Sequence, residues 1–333
     1  MTPRKLDILF TFFPYGGNGG TSSEVPDIRE WMVRTMLDCR GDWAKDRIGR
    51  ISSENFSDTP ITMTRNNAVT FARQNKFDVL VMVDSDQRPD MYVGRDKDAK
   101  PFFQSSFDYL YAHWEQGPVC IGVPYCGPPP SENVYAGRWE NCATDTDSEI
   151  DMQLKMWDRY GAAQMRGIQE AGSLPTGLIM FDMRCFDVTD PIHEANHLKE
   201  LGLSREDIMA RVKPWFYYEW KNIYQDQKVS TEDITMTRDL SLAGVMKLGY
   251  NPVFCNWDAW AGHWKPKCVG KPKNLYVEDV GLKLRVAALR NQSREVTQEN
   301  VNFAMPPEIA ARINGLQPTI TTTEGVHVGN GSA

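Results

Sequence analysis

The sequence predicts an open α/β sheet flanked by helices, and two observations carry that expectation. Residues 77–83, Phe-Asp-Val-Leu-Val-Met-Val, are almost continuously apolar and rich in β-branched side chains, as a parallel strand buried on both faces requires. Candidate strands and helices alternate through the first 125 residues, the pattern of an open sheet whose ligands bind beyond the carboxyl ends of its strands.

Taken in order, residues 6–14 read as a buried first strand, closed by Pro14 and by the cluster Gly16-Gly17-Asn18-Gly19-Gly20, a mobile loop. Residues 24–39 follow as a helix with Ile28, Trp31, Met32 and Met36 on one face. A weaker strand is expected at 47–51 and a second helix at 61–74. The apolar strand then ends in Asp84-Ser85-Asp86, and another strand at 119–123 runs into Cys126-Gly127-Pro128-Pro129-Pro130. Beyond an acidic, polar stretch at 144–151 come a strand at 177–181 and a helical region at 191–211. The aromatic block Trp215-Phe216-Tyr217-Tyr218-Glu219-Trp220 leads to Ser230-Thr231-Glu232-Asp233, which opens a helix ended by Gly249. Residues 252–255 supply a last strand.

One domain is expected over 1–294, with a donor-binding half at about 1–130 and an acceptor half at about 131–294. Residues 295–333 form an extension whose Thr/Gly/Ser-rich end, 317–333, is expected to be disordered. The composition, 41% hydrophobic and 24% charged, is that of a soluble globular chain. A net charge of -7 gives no global attraction to nucleic acid or to an anionic membrane, so any basic site must be local. No signal-peptide core follows the start, which points to a cytoplasmic protein without a membrane partner. The seven cysteines include no C-x-x-C pair and read as reduced core residues rather than a disulfide framework or zinc knuckle.

Three groups of residues carry candidate chemistry. Asp84 and Asp86, two apart on an extended segment, present carboxylates in one direction and suit a hard divalent cation; a strand-exit turn is the plainer reading of the same residues. Glu232 and Asp233 open a helix, where acids are favoured by the macrodipole and Ser230 with Asp233 resembles a capping box. A carboxylate placed there also suits a general base. His263 lies between tryptophans in Trp257-Asp258-Ala259-Trp260-Ala261-Gly262-His263-Trp264, either a hydrogen-bonded core residue or a metal ligand. Lys265, Lys267, Lys271 and Lys273 follow it in a segment that reads as a phosphate-closing loop or a solvated turn.

In this order, the strand ending in Asp84-Ser85-Asp86, the segment Thr176-Gly177-Leu178-Ile179-Met180-Phe181, the Glu232-Asp233 helix start with Leu242-Ala243-Gly244 and Gly249 behind it, and His263 resemble family 2 glycosyltransferases and related enzymes of the GT-A fold. The resemblance spans roughly residues 6–270, and its specificity lies in order and spacing. It implies a Rossmann-like nucleotide-diphospho-sugar transferase with a uridine or guanosine diphosphate sugar donor, UDP-sugar foremost, and Mn2+ or Mg2+. By position it implies that Thr11, Phe12 and Pro14 line the base pocket and that Arg65 and Asn66 sit near the nucleotide. Asp84 would contact ribose or metal, Asp86 and His263 would ligate the metal, and Lys265 would approach the donor phosphates. Asp233 resembles the family's general base, which implies inversion at the anomeric carbon, and Glu232 would orient the acceptor. That acceptor is a hydroxyl on a glycan, a protein or a hydroxylated DNA base.

Other readings remain at this point. His193-Glu194-Ala195-Asn196-His197 fits H-E-x-x-H letter for letter, the pattern of a zinc metallopeptidase, although Asp190 and Lys199 flank it and a solvated helix face fits them better. A sugar-phosphate nucleotidyltransferase would use a glycine-rich loop after the first strand, but the next basic residue after that cluster is Arg29. A carbohydrate-binding module would use the aromatic block at 215–220 as a stacking platform.

Overall fold

The computed structural model describes residues 4–14, 26–57, 60–127, 132–143, 150–222, 227–264 and 268–269. The glycine cluster at 16–20, Lys265 and the lysines after it, and the extension at 295–333 lie outside the described residues.

The chain begins with β1 (Leu6–Phe13), α1 (Pro26–Asp38), β2 (Ile48–Asn55), α2 (Ile61–Gln74) and β3 (Val79–Asp84). The short β4 (Gln87–Arg88) precedes α3 (Phe102–His113), β5 (Cys120–Gly122) and a hairpin of β6 (Gly137–Ala143) with β7 (Ile150–Met156). Next come α4 (Arg159–Gln164), β8 (Ile168–Glu170), β9 (Leu178–Asp182), α5 (Cys185–Val188), α6 (Pro191–Glu200) and α7 (Arg205–Arg211). A second hairpin, β10 (Glu219–Asn222) and β11 (Gln227–Ser230), leads to α8 (Glu232–Leu248), β12 (Val253–Asn256), β13 (Gly262–Trp264) and β14 (Cys268–Val269).

Seven strands form the central sheet in the order β2-β1-β3-β9-β5-β12-β8. Five run one way, while β9 and β8 run against their neighbours. Successive side chains of a strand point to opposite faces, and β1 and β3 obey this strictly. Leu9, Phe13, Leu80 and Met82 join Ala68, Val69 and Ala72 of α2 and Met236 and Leu240 of α8 on one face. Ile8, Phe10, Phe12, Val79, Val81 and Val83 join Ile28 and Trp31 of α1 and Phe103 and Phe107 of α3 on the other. At about 1.5–3 kcal/mol per fully buried large apolar side chain, these two layers supply most of the drive to fold. The expected open α/β sheet with helices on both faces is therefore present.

Several local expectations are refined. The helical region at 191–211 is two helices, broken where Gly202 takes a φ of 81° that other residues avoid. The acidic stretch at 144–151 runs into a strand, since Ile150 opens β7. The helix α3 was not anticipated, because Phe102, Phe103, Phe107 and Leu110 give an apolar stripe whose aromatic residues have weak helix preference. The capping box at Ser230 is absent: Thr231 is the N-cap of α8, without a side-chain cap bond. Five cysteines, at 39, 120, 126, 185 and 255, are free and buried, as expected. Among the described residues no helix is long and apolar enough to cross a membrane.

Candidate functional site

The site is built at the carboxyl end of β3. In α2 the buried positions are Thr64, Arg65, Ala68, Val69 and Ala72, one helical stripe with a guanidinium in it. Arg65 is 1% exposed, so its charge must be met inside the protein. Met82 and Leu80 face α2, and Asp84, two residues further along β3, faces it too. Arg65 Nη2 donates to both Asp84 oxygens at 2.8 Å. Its Nη1 donates to Asp233 Oδ1 at the start of α8 and to Thr176 Oγ1 just before β9. Thr176 Oγ1 in turn donates to the same Asp233 oxygen at 2.9 Å, and Glu232 lies 4.0 Å from Nη1. Residues separated by 168 positions are thus joined through one side chain.

The second half follows from the turn after β3. Gln87 pairs with His263 and Arg88 with Gly262, joining β4 to β13, while Trp264 N donates to Asp86 O at 2.9 Å. His263 Nδ1 lies 3.1 Å from the Cys126 carbonyl oxygen, which can only accept, so Nδ1 carries a proton. That leaves Nε2 facing Asp86 Oδ2 at 3.4 Å. An imidazole lone pair and a carboxylate repel unless a proton or a cation lies between them. Tyr125 links the halves: its ring packs edge-on to His263 at 4.9 Å, and it feels the charges of Asp233, Asp84 and Asp86.

Among the described residues one guanidinium answers several carboxylates. Burial pushes the Asp84 carboxyl up to about 7; Arg65 opposes this, while Asp233 and Asp86 add to it. Burial alone would lower the pKa of Arg65, yet Asp84, Asp233 and Glu232 together raise it. Tyr125 is raised well above its ordinary range by burial and by the same carboxylates. Tyr218 is pushed to about 12, by burial first and then by Glu232, to which it is hydrogen-bonded. One guanidinium faces three carboxylates, and a fourth, Asp86, adds to their field.

The structure brings some of the predicted site residues together and places others elsewhere. Asp84, Asp86, Glu232, Asp233, Arg65 and His263 come together. Thr11 and Phe12 do not open onto this cluster: the Thr11 hydroxyl donates to Val81 O at 3.0 Å inside the sheet, and Phe12 packs in the opposite layer. Pro14 ends β1 and is partly buried. Asn66 is a bracket, its amide nitrogen donating to Thr62 O and Phe216 O and its oxygen accepting from Phe216 N. Lys265 lies outside the described residues. Thr176, Tyr125 and Gln87 belong to the cluster without having been singled out.

For a divalent ion the donor set is one imidazole nitrogen and the Asp86 carboxylate, close enough to share a cation whose N and O ligands lie at about 2.0–2.2 Å. The Cys126 carbonyl on the far imidazole nitrogen is the support that metal-binding histidines ordinarily have. Among the described residues no three His, Cys, Asp or Glu side chains are grouped to hold an ion alone. The two donors therefore fit an ion that also takes oxygens from a diphosphate, as Mg2+ commonly does. His193, Glu194 and His197 sit on α6, which has no buried residue, and its start is tied down by Asp190 rather than frayed. This is the solvated helix face.

No protein-family model matches the chain, and no curated protein matches it. Among solved structures the chain is similar to A197 from STIV, at 12% identity and a TM-score of 0.40 over 80% of this chain and 95% of that one. It is also similar to a Bacillus anthracis protein described, in complex with sucrose, as a putative glucose-1-phosphate thymidylyltransferase, at 12% identity and a TM-score of 0.27 over 62% and 84% of the two chains. These are distant likenesses of backbone, and the functional reading rests on the site itself.

Proposed function

We propose that this protein is a metal-dependent glycosyltransferase of GT-A type that moves a sugar from a nucleotide diphosphate, UDP foremost, to an acceptor hydroxyl. The observation that carries the reading is the meeting of Asp84 and Asp233 on buried Arg65 at a strand's carboxyl end, with Asp86 adding to the field at Asp84 and lying 3.4 Å from His263 Nε2. A carboxylate oxygen and an imidazole nitrogen at that distance suit a shared cation, and a cation there favours a diphosphate.

In this reading Asp86 and His263 hold Mn2+ or Mg2+, which, when bound, stabilises the charge that grows on the leaving diphosphate. Asp84 is kept in place by the paired Nη2 bonds of Arg65 and adds negative field at the metal's side. Asp233 takes the acceptor proton. Among the described residues its hydrogen bonds, from Arg65 and Thr176, fall on Oδ1, and in this reading Oδ2 meets the acceptor hydroxyl. Its partial exposure admits an acceptor, whereas Glu232 is buried. Glu232 fixes Tyr218 and the start of α8 rather than meeting the acceptor directly. Attack from the Asp233 side on a sugar whose diphosphate sits at Asp86 gives inversion. The acceptor is a hydroxyl on a glycan, a protein or a modified base.

A thermal-shift series with nucleotide sugars, with and without Mn2+, tests this. A ligand at one hundred times its Kd stabilises the fold by about 2.7 kcal/mol. A UDP-sugar should raise Tm only with the metal present. Absence of a shift with every nucleotide sugar, in Mn2+ and in Mg2+, contradicts the proposal.

A further inference from the structure

The segment before β9 is stitched to the first turns of α8 by two buried threonine hydroxyls. Thr237 Oγ1 donates to Leu174 O at 2.7 Å and accepts from Leu174 N at 2.9 Å. Four residues back along α8, on the same face, Asp233 Oδ1 accepts from Thr176 Oγ1 at 2.9 Å. The next residue, Gly177, accepts at its carbonyl from Asp84 N at 2.7 Å. The space at Gly177 is filled, since a methyl group there would lie 2.5 Å from the Tyr125 hydroxyl and 2.9 Å from Gln87 Nε2. Gln87 is itself buried, its side-chain amide without a hydrogen-bond partner among the described residues. Residues 174–177 are therefore fixed at α8, at Asp233 and at Asp84, with little room to shift.

The direction of each bond at Thr176 follows from its partners. A guanidinium N–H can only donate, so the bond between Arg65 Nη1 and Thr176 Oγ1 uses the hydroxyl oxygen as acceptor. The single hydroxyl proton then goes to Asp233 Oδ1, which also accepts from Arg65 Nη1. One hydrogen bond lets a carboxylate swivel about it; two, from different elements, hold its plane. A methyl group in the place of the hydroxyl would do neither task, and a carbonyl would accept but not donate. Thr176 is closed off from water, whereas Asp233 is 30% exposed, so the hydroxyl can act on a substrate only through the carboxylate.

We infer that Thr176 is a positioning residue for the proposed transfer: with its proton directed by Arg65, it holds the Asp233 carboxylate in the orientation that takes the acceptor proton. This inference rests on the glycosyltransferase reading. Misplacing a reacting group by about 1 Å can lower a rate about a hundredfold, so loss of the hydroxyl should appear in turnover and not in donor binding.

The test uses the full chain in Mn2+ with UDP-glucose, UDP-galactose and UDP-N-acetylglucosamine, and with water as the acceptor hydroxyl. The water oxygen bonds to the anomeric carbon, the bond to the diphosphate breaks with its electron pair going to UDP, and the water proton passes to Asp233. UDP release gives kcat and KM, and calorimetric titration of UDP gives donor affinity. Thr176→Val keeps the shape and removes the hydroxyl; it should lose about tenfold or more in kcat, with KM and UDP affinity within about twofold of wild type. Thr176→Ala, with less bulk, should behave in the same way, and Thr176→Ser, which keeps the hydroxyl, should retain most of the turnover. Because Thr176 acts through Asp233, adding Thr176→Val to Asp233→Asn should cost at most about twofold more. Wild-type kcat in Thr176→Val, equal losses of kcat and UDP affinity, no recovery with serine, or a full further loss on top of Asp233→Asn would each overturn the positioning role. Wild type that releases UDP from none of the three sugars removes the glycosyltransferase reading and this role with it, whereas an active wild type matched by Thr176→Val removes the role alone.

Discussion

The paired strands β3 and β9 have a carboxylate held by an arginine at each end, and the two ends differ in how their charges balance. Beside Val79, Asp182 is fully buried and Arg184 reaches back to it with Nε and Nη2. The same guanidinium lies 4.0 Å from the Trp114 ring centre and donates to the Trp114 carbonyl. Asp182 meets Arg184 and nearby Asp78 meets Arg4, so acids and bases match, and Arg184 stays partly exposed to water. Past Val83, Arg65 is closed off from water and faces carboxylates from both β3 and α8. The first arrangement is complete without a ligand. The second sets three carboxylates against one guanidinium among the described residues, and it is the end proposed to be functional.

Breaking the unbalanced end should cost most. Arg65→Met leaves Asp84 and Asp233 without their counter-charge, and removing one partner of a buried pair costs about 3–5 kcal/mol. Urea unfolding should show it, and Arg65→Lys, which keeps charge but not the fork, should recover part. Asp233→Asn should unfold close to wild type while transfer falls a hundredfold or more, the range expected for loss of a general base. Measured kcat with the preferred UDP-sugar checks this, and near-normal turnover would remove the base assignment.

The balanced end should behave oppositely. Because Arg184 is solvent-screened, Arg184→Met should cost about 1–2 kcal/mol, below the buried-pair range, and leave transfer unchanged. Burial already raises the Asp182 carboxyl, against the pull of Arg184. Without Arg184 the folded state should bind a proton more readily than the unfolded chain, whose Asp pKa is about 3.9. Stability of Arg184→Met should then fall as pH rises above that value. Asp258 gives the smallest effect and the opposite slope. Burial would raise its pKa, but hydrogen bonds from Lys100 and Gly167 N more than offset this and the net shift is downward. Its contribution, about 1 kcal/mol or less given the exposed lysine, is present above the unfolded pKa and lost as pH falls through the folded one. Asp258→Asn should flatten that acid limb in pH-dependent unfolding.

What the sequence made legible follows from periodicity. The run at 77–83 and its terminal carboxylates were readable because burial on both faces demands continuous apolar residues, and α2 was bounded correctly from its stripe and flanks. The function of Arg65 was harder to read, since its partners lie 19 and 168 positions away. A signal did exist: Arg65 sits on the same stripe as Ala68, Val69 and Ala72, where a charge has no place without an internal counter-ion. Thr176 was quoted as part of a motif but given no role. Gln87 and Tyr125 carried no signal, because an unpaired buried amide can be recognised only when its neighbours are known. Thr11 and Phe12 were placed by analogy of position, and strand alternation turns both into the core.

The proposed chemistry depends most on Asp86 and His263 acting on one cation. Calorimetric titration of UDP in Mn2+ against wild type, Asp86→Ala, His263→Ala and the double variant measures this directly. A shared cation gives metal-dependent binding in wild type, a loss of tenfold or more in each single variant, and a double variant little worse than either. Undiminished Mn2+-dependent UDP binding by Asp86→Ala would contradict it.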